Sequence, residues 1–560
     1  MMTKIFNLRN IAVAALVLFN TSCRDLDLYS RTSPSTGDFY STEAELQVAA
    51  NEFYRDFMFP TDTDKYSDNV FARSGTGHEL YKGTSTSQSG IFKNRWADCY
   101  KSITRANMML HYMHRAENVT PEDVWMQYRA EALLTRAHQY LYLATHYGDV
   151  PLLLEPVPLE EAYDIRRTDK EVIIDQAMED LDFAIEFLPE AYGDADVQRF
   201  TKASALAIKS RYALYTNRYE VAAEAAQALM DYGRFELYPN YGELFLEQGQ
   251  QANEIIIALP QSSAYGEKRN IQYDIQRNAG GFASTTPTYE LIDSYETAEG
   301  LRIDDDAASY SYLNPFENRD PRLKMSILTP GDSLMDLYWE PFKKETWDIQ
   351  QEKSIKNMDS WLSNTQGSAN PCGLLFKKGF SDAMRGSFDI VDVDIILYRF
   401  AETLLIYAEA KLELGQIDQS VLDAINRVRQ RAYAQEIAEG GTYPEVVTTN
   451  AQELREIIRR ERRVELANEG LRYMDLIRWN LADVALNRPM IGIKTEGLSE
   501  ESNMFSAIPE FDENGLPTYD HVIDNHNILL NRVFPERQYI WPIPFQESVT
   551  NPSLGQNPGW

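Results

Sequence analysis

Apolar residues recur at three- and four-residue intervals through Glu43–Met58, Phe92–Glu117, Pro121–Tyr147, Asp169–Leu188, Thr201–Tyr215 and Tyr219–Tyr232. The same period returns in Ile395–Leu414, Gln419–Tyr433, Ala451–Glu469 and Leu471–Leu481. That spacing puts the apolar side chains on one face and predicts amphipathic helices. Pro121 suits a first helical turn, with Thr120 as N-cap candidate and Asp123 behind it. Gly148 and Pro151 stop the same helix. Between the two helical groups the period is lost. Residues 233–394 are rich in Pro, Gly, Asn and aromatic residues, and only Glu254–Pro260, through Ile255, Ile256 and Ile257, reads as a short buried strand.

Two stretches have the form of helical hairpins of the tetratricopeptide type. In Ala207–Leu229, Ala213, Ala222 and Ala226 allow close helix approach and Tyr219 stands at the turn. In Tyr407–Ala432, Ala408 and Ala410 precede Gly415, and Ala424 and Val428 follow. Such pairs bury their faces by stacking on neighbours, which predicts further pairs. An irregular stretch as long as 233–394 is too long for a loop and predicts a second subdomain packed on the helices. The predicted fold is mainly α, with tetratricopeptide-like hairpins supporting a loop-rich variable subdomain. The predicted divisions are 1–22, 23–40, an N-terminal helical-repeat lobe at 41–232, the irregular region at 233–394, and a C-terminal helical lobe at 395–560 with an irregular insertion at 487–531.

The N-terminus changes the picture from cytosolic to exported. Lys4 and Arg9 precede the apolar run Ile11–Phe19, too short to span a bilayer, and Thr21-Ser22 leads directly into Cys23. This order resembles the bacterial lipobox. It implies removal of residues 1–22, acylation of Cys23 and a tether over 23–40, and acyl chains on one residue anchor stably because each buried methylene contributes about 0.8 kcal/mol. Residues 1–22 carry two basic side chains and no acidic ones, so 52 basic side chains face 85 acidic ones afterwards, a formal charge of −33. A surface this acidic argues against nucleic acid or anionic headgroups as partners. Cys99 and Cys372 are too few and too far apart for a disulfide framework, and one bridge between them stays open.

Several ordered segments carry a family resemblance. They are Tyr128-Arg-Ala-Glu-Ala-Leu-Leu-Thr-Arg-Ala-His-Gln-Tyr140 continuing to Tyr147-Gly-Asp-Val-Pro151, Tyr398-Arg-Phe-Ala-Glu-Thr-Leu-Leu-Ile-Tyr-Ala-Glu-Ala410, and Ile425-Asn-Arg-Val-Arg-Gln-Arg-Ala432. The most specific is Arg460-Glu-Arg-Arg-Val-Glu-Leu-Ala-Asn-Glu-Gly-Leu-Arg-Tyr-Met-Asp-Leu-Ile-Arg-Trp479, followed by Ile540-Trp-Pro-Ile-Pro544, Asn551-Pro552 and Gln556-Asn-Pro-Gly-Trp560. Together with the lipobox they resemble the SusD/RagB family of nutrient-binding lipoproteins along essentially the whole chain. The resemblance implies a lid and capture surface over a SusC-like TonB-dependent transporter in the outer membrane. It also implies a ligand that is a glycan in most members and a peptide in some.

The residues themselves point to binding. Arg460–Trp479 is dense in charge, but Glu461, Glu465 and Glu469 fall on one helical face among arginines, the pattern of an Arg–carboxylate network that fixes a helix pairing. No nucleophile elbow, zinc-binding His-Glu-x-x-His or glycine-rich phosphate loop occurs. His111 with His114, and His138 with His146, share helical faces but lack a third ligand in any motif, and read as surface or capping residues. No metal or cofactor is called for. Sugar rings stack their C–H faces on aromatic side chains and hydrogen-bond through their hydroxyls. Trp125, Trp479, Trp541 and Trp560 lie in helices or family motifs and read as structural. The candidate ligand contacts are therefore Trp339, Trp347, Tyr338, Trp361 and Tyr295 in the irregular middle, with Tyr289, Tyr310 and Tyr312 nearby. Trp96 follows the Gly- and Ser-rich loop 67–90, and that loop adds Asp68 and Arg73. The leading reading is a non-enzymatic glycan-binding surface lipoprotein; behind it stand the same architecture capturing oligopeptides, a tetratricopeptide scaffold without a small ligand and, last, a secreted hydrolase.

Overall fold

The computed structural model describes residues 39–560, apart from 56–57, 62, 74–77, 159, 194–197, 267–268, 363–369, 389, 435–441, 496 and 502. The signal segment, Cys23 and most of the tether lie outside the described residues. The longer helices are α1 (Glu43–Asn51), α2 (Gly90–Tyr112), α3 (Glu122–Tyr147), α4 (Lys170–Phe187), α5 (Lys202–Tyr215) and α6 (Tyr219–Asp231). After the irregular middle come α7 (Phe400–Glu413), α8 (Gln419–Tyr433), α9 (Ala451–Glu465) and α10 (Arg472–Arg478). Helix makes up 44% of the structure and strand 11%, so the class is mainly α.

Most starts sit where a side chain satisfies the orphan backbone N–H groups of the first turn. Thr42 and Glu45 form a capping box on α1, Asp169 accepts from Glu171 N at 2.8 Å, and Asn450 accepts from Gln452 N and Glu453 N. Helix α3 departs from expectation. Its cap residue is Pro121, and the Thr120 hydroxyl is buried without a partner. Gly148 ends α3 at φ +73°, a conformation that favours glycine. Ile395–Leu414 is not one helix. Ile395–Arg399 is a strand paired antiparallel with Ile255–Leu259, and only then does α7 begin.

Helices α2 and α3, α3 and α4, α5 and α6, and α7 and α8 pack as successive pairs, and α6 packs on α7 to join the two helical groups. Consequently residues of 41–232 and 395–486 share one hydrophobic core, built on Leu134, Leu141, Leu206, Leu229, Leu404 and Ile425. The second core gathers Ile271, Tyr289, Leu323, Trp339 and Phe376, and the 487–531 insertion joins it through Met490, Ile491, Ile493 and Phe505. In space the chain thus forms a helical body from both ends and a loop-rich subdomain from the middle plus the insertion. That subdomain contains a four-stranded antiparallel sheet in the order Ser333–Leu334, Leu337–Tyr338, Glu345–Asp348, Lys353–Lys356.

The charged C-terminal segment ties these bodies together. The Glu465 carboxylate is fully buried and receives Arg399 Nη1 at 2.6 Å, Arg322 Nη1 at 3.0 Å and Arg431 Nη2. Glu461 takes Arg322 at 2.5 Å and Arg429 at 3.0 Å, and Glu469 takes Arg399 at 2.7 Å and Lys378 at 2.5 Å. Burial alone would raise the Glu465 pKa, but Arg431, Arg399 and Arg322 override it and hold the carboxyl well below the usual range. A second cluster joins Arg462 and Arg478 to Asp475 and Glu409, whose carboxylate also accepts Trp479 Nε1 at 2.6 Å. The segment is scaffold, and it fixes more than the single helix pairing read from its spacing. Cys99 and Cys372 are both buried free thiols.

Candidate ligand-binding surface

The structure separates the sequence candidates into buried and exposed groups. Trp96 lies within α2, 4% exposed, with its ring 4.9 Å from Tyr100 and 5.3 Å from Tyr147. Trp339 is 1% exposed and donates Nε1–H to Gly373 O at 2.8 Å. Tyr295 and Tyr289 are core residues of the loop-rich subdomain. Asp68 is buried between Arg472 at 2.8 Å and Arg463 at 2.9 Å. Burial works against its ionisation, but these two guanidinium groups hold its carboxyl well below the usual range. Trp96, Trp339, Tyr295 and Asp68 therefore offer no face to solvent and are corrected to scaffold positions. Trp361 is half-buried, donating Nε1–H to Asn370 O at 2.5 Å.

Trp347 and Tyr338 are exposed, 46% and 38%. Alternation along the strands explains this: Leu337, Thr346 and Asp348 point inward, so their neighbours point out. Leu337 pairs with Asp348, which puts Tyr338 beside Trp347 on adjacent strands of the sheet, while Ser333 opposes Tyr338 and Ser354 opposes Trp347. The outer face thus carries two rings flanked by two serines.

A second exposed ring pair escaped the sequence reading. Tyr273 and Phe282 are 53% and 42% exposed, with centroids 5.2 Å apart at an interplanar angle of 61°. The turn between them is closed by Phe282 N to Gln272 O and Ser284 N to Tyr273 O, each 2.8 Å. The run Asn278-Ala279-Gly280-Gly281 is the turn signal that predicts this approach. Arg73 N donates to Ser284 O at 2.9 Å, which brings the 67–73 loop alongside the pair. Arg73 is half-buried. Burial and then Arg277 lower its pKa, so two guanidinium groups share this neighbourhood with the buried Asp359. Asn278 Nδ2 donates to Lys356 O at 2.9 Å and Gln276 Nε2 to Leu334 O at 2.5 Å, so this turn is fastened to the sheet that carries Tyr338 and Trp347.

Inside the molecule, a cavity of about 370 Å³ opens at the seam between the helical body and the loop-rich subdomain. His138 and His146 line it from α3. They are not surface residues: each is 4% exposed, and burial, aided by Arg95, pushes both imidazoles down to about 3. His111 does lie at the surface, 2.7 Å from Glu155. Among the described residues no group of three or more His, Cys, Asp or Glu side chains is placed to hold a metal ion.

Residues 253–560 match the family model described as the SusD family, and residues 26–214 match one described as starch-binding associating with outer membrane. SusD-like protein P38 of Formosa agariphila is 26% identical over 98% of this chain and 99% of its own length. A SusD-like carbohydrate binding protein from Bacteroides fragilis superposes with a TM-score of 0.78 at 26% identity, covering 92% of this chain and 100% of that one. A laminarin binding SusD-like protein shares the fold with a TM-score of 0.63 at 21% identity, over 93% of this chain and 100% of that one. With more than half of the chain matched by one family model and relatives aligned nearly end to end, the chain belongs to the SusD family.

Proposed function

We propose that this protein is a lipid-anchored component of the outer cell surface. It captures a nutrient glycan on the loop-rich subdomain and passes it to a SusC-like TonB-dependent transporter, with no covalent chemistry of its own. One observation carries the reading: four large rings, Tyr273, Phe282, Tyr338 and Trp347, stand exposed on backbone that is hydrogen-bonded into a single subdomain. Exposed rings on fixed backbone present flat apolar faces with no backbone left to order, which suits stacking on sugar rings. The carbohydrate-binding descriptions of similar proteins agree with it. Anchoring rests on the Cys23 motif, and outward orientation follows from the capture role.

Affinity gel electrophoresis against a panel of polysaccharides tests the proposal. A retarded band with at least one polysaccharide is the expected result, weakened about 10-fold, or ~1.4 kcal/mol, by Trp347→Ala. Binding to oligopeptides with no polysaccharide retarding the band overturns it. The formal charge of −33 after removal of residues 1–22 favours that second reading for basic peptides, whose affinity falls steeply with salt.

A further inference from the structure

The seam cavity contains polar groups that the fold leaves unmatched. The Arg269 guanidinium lines it, lies over the Phe380 ring at 5.2 Å, and makes no ion pair among the described residues. Burial lowers its pKa, and only Asp274 works against that. Arg269 is half-buried and faces the cavity without a carboxylate of its own, whereas Arg211 and Lys378 in the same wall are paired. Arg211 is held by Glu402 at 2.5 Å, and Lys378 by Glu469 at 2.5 Å. The Tyr398 ring, 3% exposed, packs against the Arg211 guanidinium at 3.3 Å and adds wall rather than a free donor. His138 accepts from Gln139 Nε2 at 3.2 Å through Nδ1, which leaves Nε2–H as the donor of a neutral ring. Asp394 supplies a half-buried acceptor, already receiving Gln261 N at 2.9 Å. Phe59 and Phe245 add apolar wall.

The volume of about 370 Å³ falls at the lower end of small-molecule sites, near the size of one or two sugar units. We infer that this cavity binds a single sugar unit bearing a carboxylate, a uronic acid, with Arg269 taking the carboxylate and His138 and Asp394 taking hydroxyls. The site is separate from the exposed rings and does not depend on their role. Asp64, Asp274 and Glu469 in the same wall disfavour ligands of higher negative charge.

Titration calorimetry of the full chain with glucuronate, galacturonate, glucose, galactose and acetate tests the inference. Both or one of the uronates should bind, with its neutral hexose and acetate each at least ~10-fold weaker. Arg269→Met should reduce uronate affinity by a similar factor, whereas Lys343→Gln, outside the cavity wall, should leave it unchanged. Equal affinity for uronate and hexose, equal affinity for uronate and acetate, no uronate binding, or an unaffected Arg269→Met variant would each overturn it. If Arg269→Met does not fold, the wild-type comparison of acid with neutral sugar decides alone. The exposed-ring reading is tested with polysaccharide on Trp347→Ala, so either can fail without the other.

Discussion

Replacing Glu465 with glutamine removes one negative charge from the place where the helical body and the loop-rich subdomain are tied. The side chain keeps its size, so no cavity forms. What changes is that Arg399, Arg322 and Arg431, all buried, lose the carboxylate they share. Glu254, Asp320, Glu461 and Glu469 still compensate part of that positive charge. Breaking a buried charge pair by changing one partner costs about 3–5 kcal/mol. An unfolding entropy of ~2.1 cal/mol/K per residue, over roughly 520 residues melting together, gives about 1.1 kcal/mol/K. The midpoint should therefore fall by about 3–5 °C in differential scanning calorimetry. Because the folded pKa of Glu465 is depressed, its contribution is complete above the unfolded value of about 4.3 and is lost as pH falls through the folded one. The gap between wild type and variant should stay constant from about pH 8 to 5 and close only in strong acid. Lys343→Gln, which removes the exposed pair with Glu340, serves as control and should move stability by less than about 0.5 kcal/mol. A Glu465→Gln variant melting within about 1 °C of wild type would refute the assignment of this network as the tie between the two bodies.

Three further outcomes follow from the same structure. His138 stays neutral in the folded state down to about 3, while an unfolded histidine protonates near pH 6.5, so stability drains as pH falls between those values. Urea titrations of His138→Gln should show a slope of stability against pH between 6 and 4 that is shallower by up to ~1.4 kcal/mol per pH unit, and an unchanged slope would contradict the burial argument. A Cβ at Gly281 would stand 2.2 Å from Ile275 O, so Gly281→Ala must open the turn that holds Phe282 against Tyr273. Polysaccharide affinity should then drop several-fold, and full retention would remove that ring pair from the binding surface. Burial pushes the Cys99 and Cys372 thiols up to about 11 and 12, so in a Cys23→Ser chain a thiol reagent should label neither until denaturant is added.

Local order was readable where periodicity and caps agree. Gln419–Tyr433 is predicted and found with the same ends, because Asp418 caps it and the apolar stripe is continuous. Non-local pairing was not readable: Ile395–Arg399 looks helical by itself and becomes a strand because Ile255–Leu259 lies beside it. The joining of both helical groups into one core escapes the sequence for the same reason, since the contact of α6 with α7 spans the whole irregular region. Which of the candidate rings reach the surface was half legible. Trp347 and Tyr338 alternate with buried residues on short strands, whereas Trp96, Trp339 and Tyr295 are identical in type but turned inward by packing. Tyr273 and Phe282 were announced only by the glycine turn between them. Asp68, a loop residue by sequence, is drawn into the interior by Arg463 and Arg472 from the far end of the chain.

The central claim is that the exposed rings capture a glycan. The most direct measurement is polysaccharide affinity electrophoresis of wild type beside a Tyr338→Ala/Trp347→Ala double variant, with folding verified by an unchanged melting midpoint. The account predicts retardation of the wild type on at least one polysaccharide and its loss, by about 10-fold or more, in the variant. Equal retardation of the two proteins would place the glycan elsewhere and contradict it.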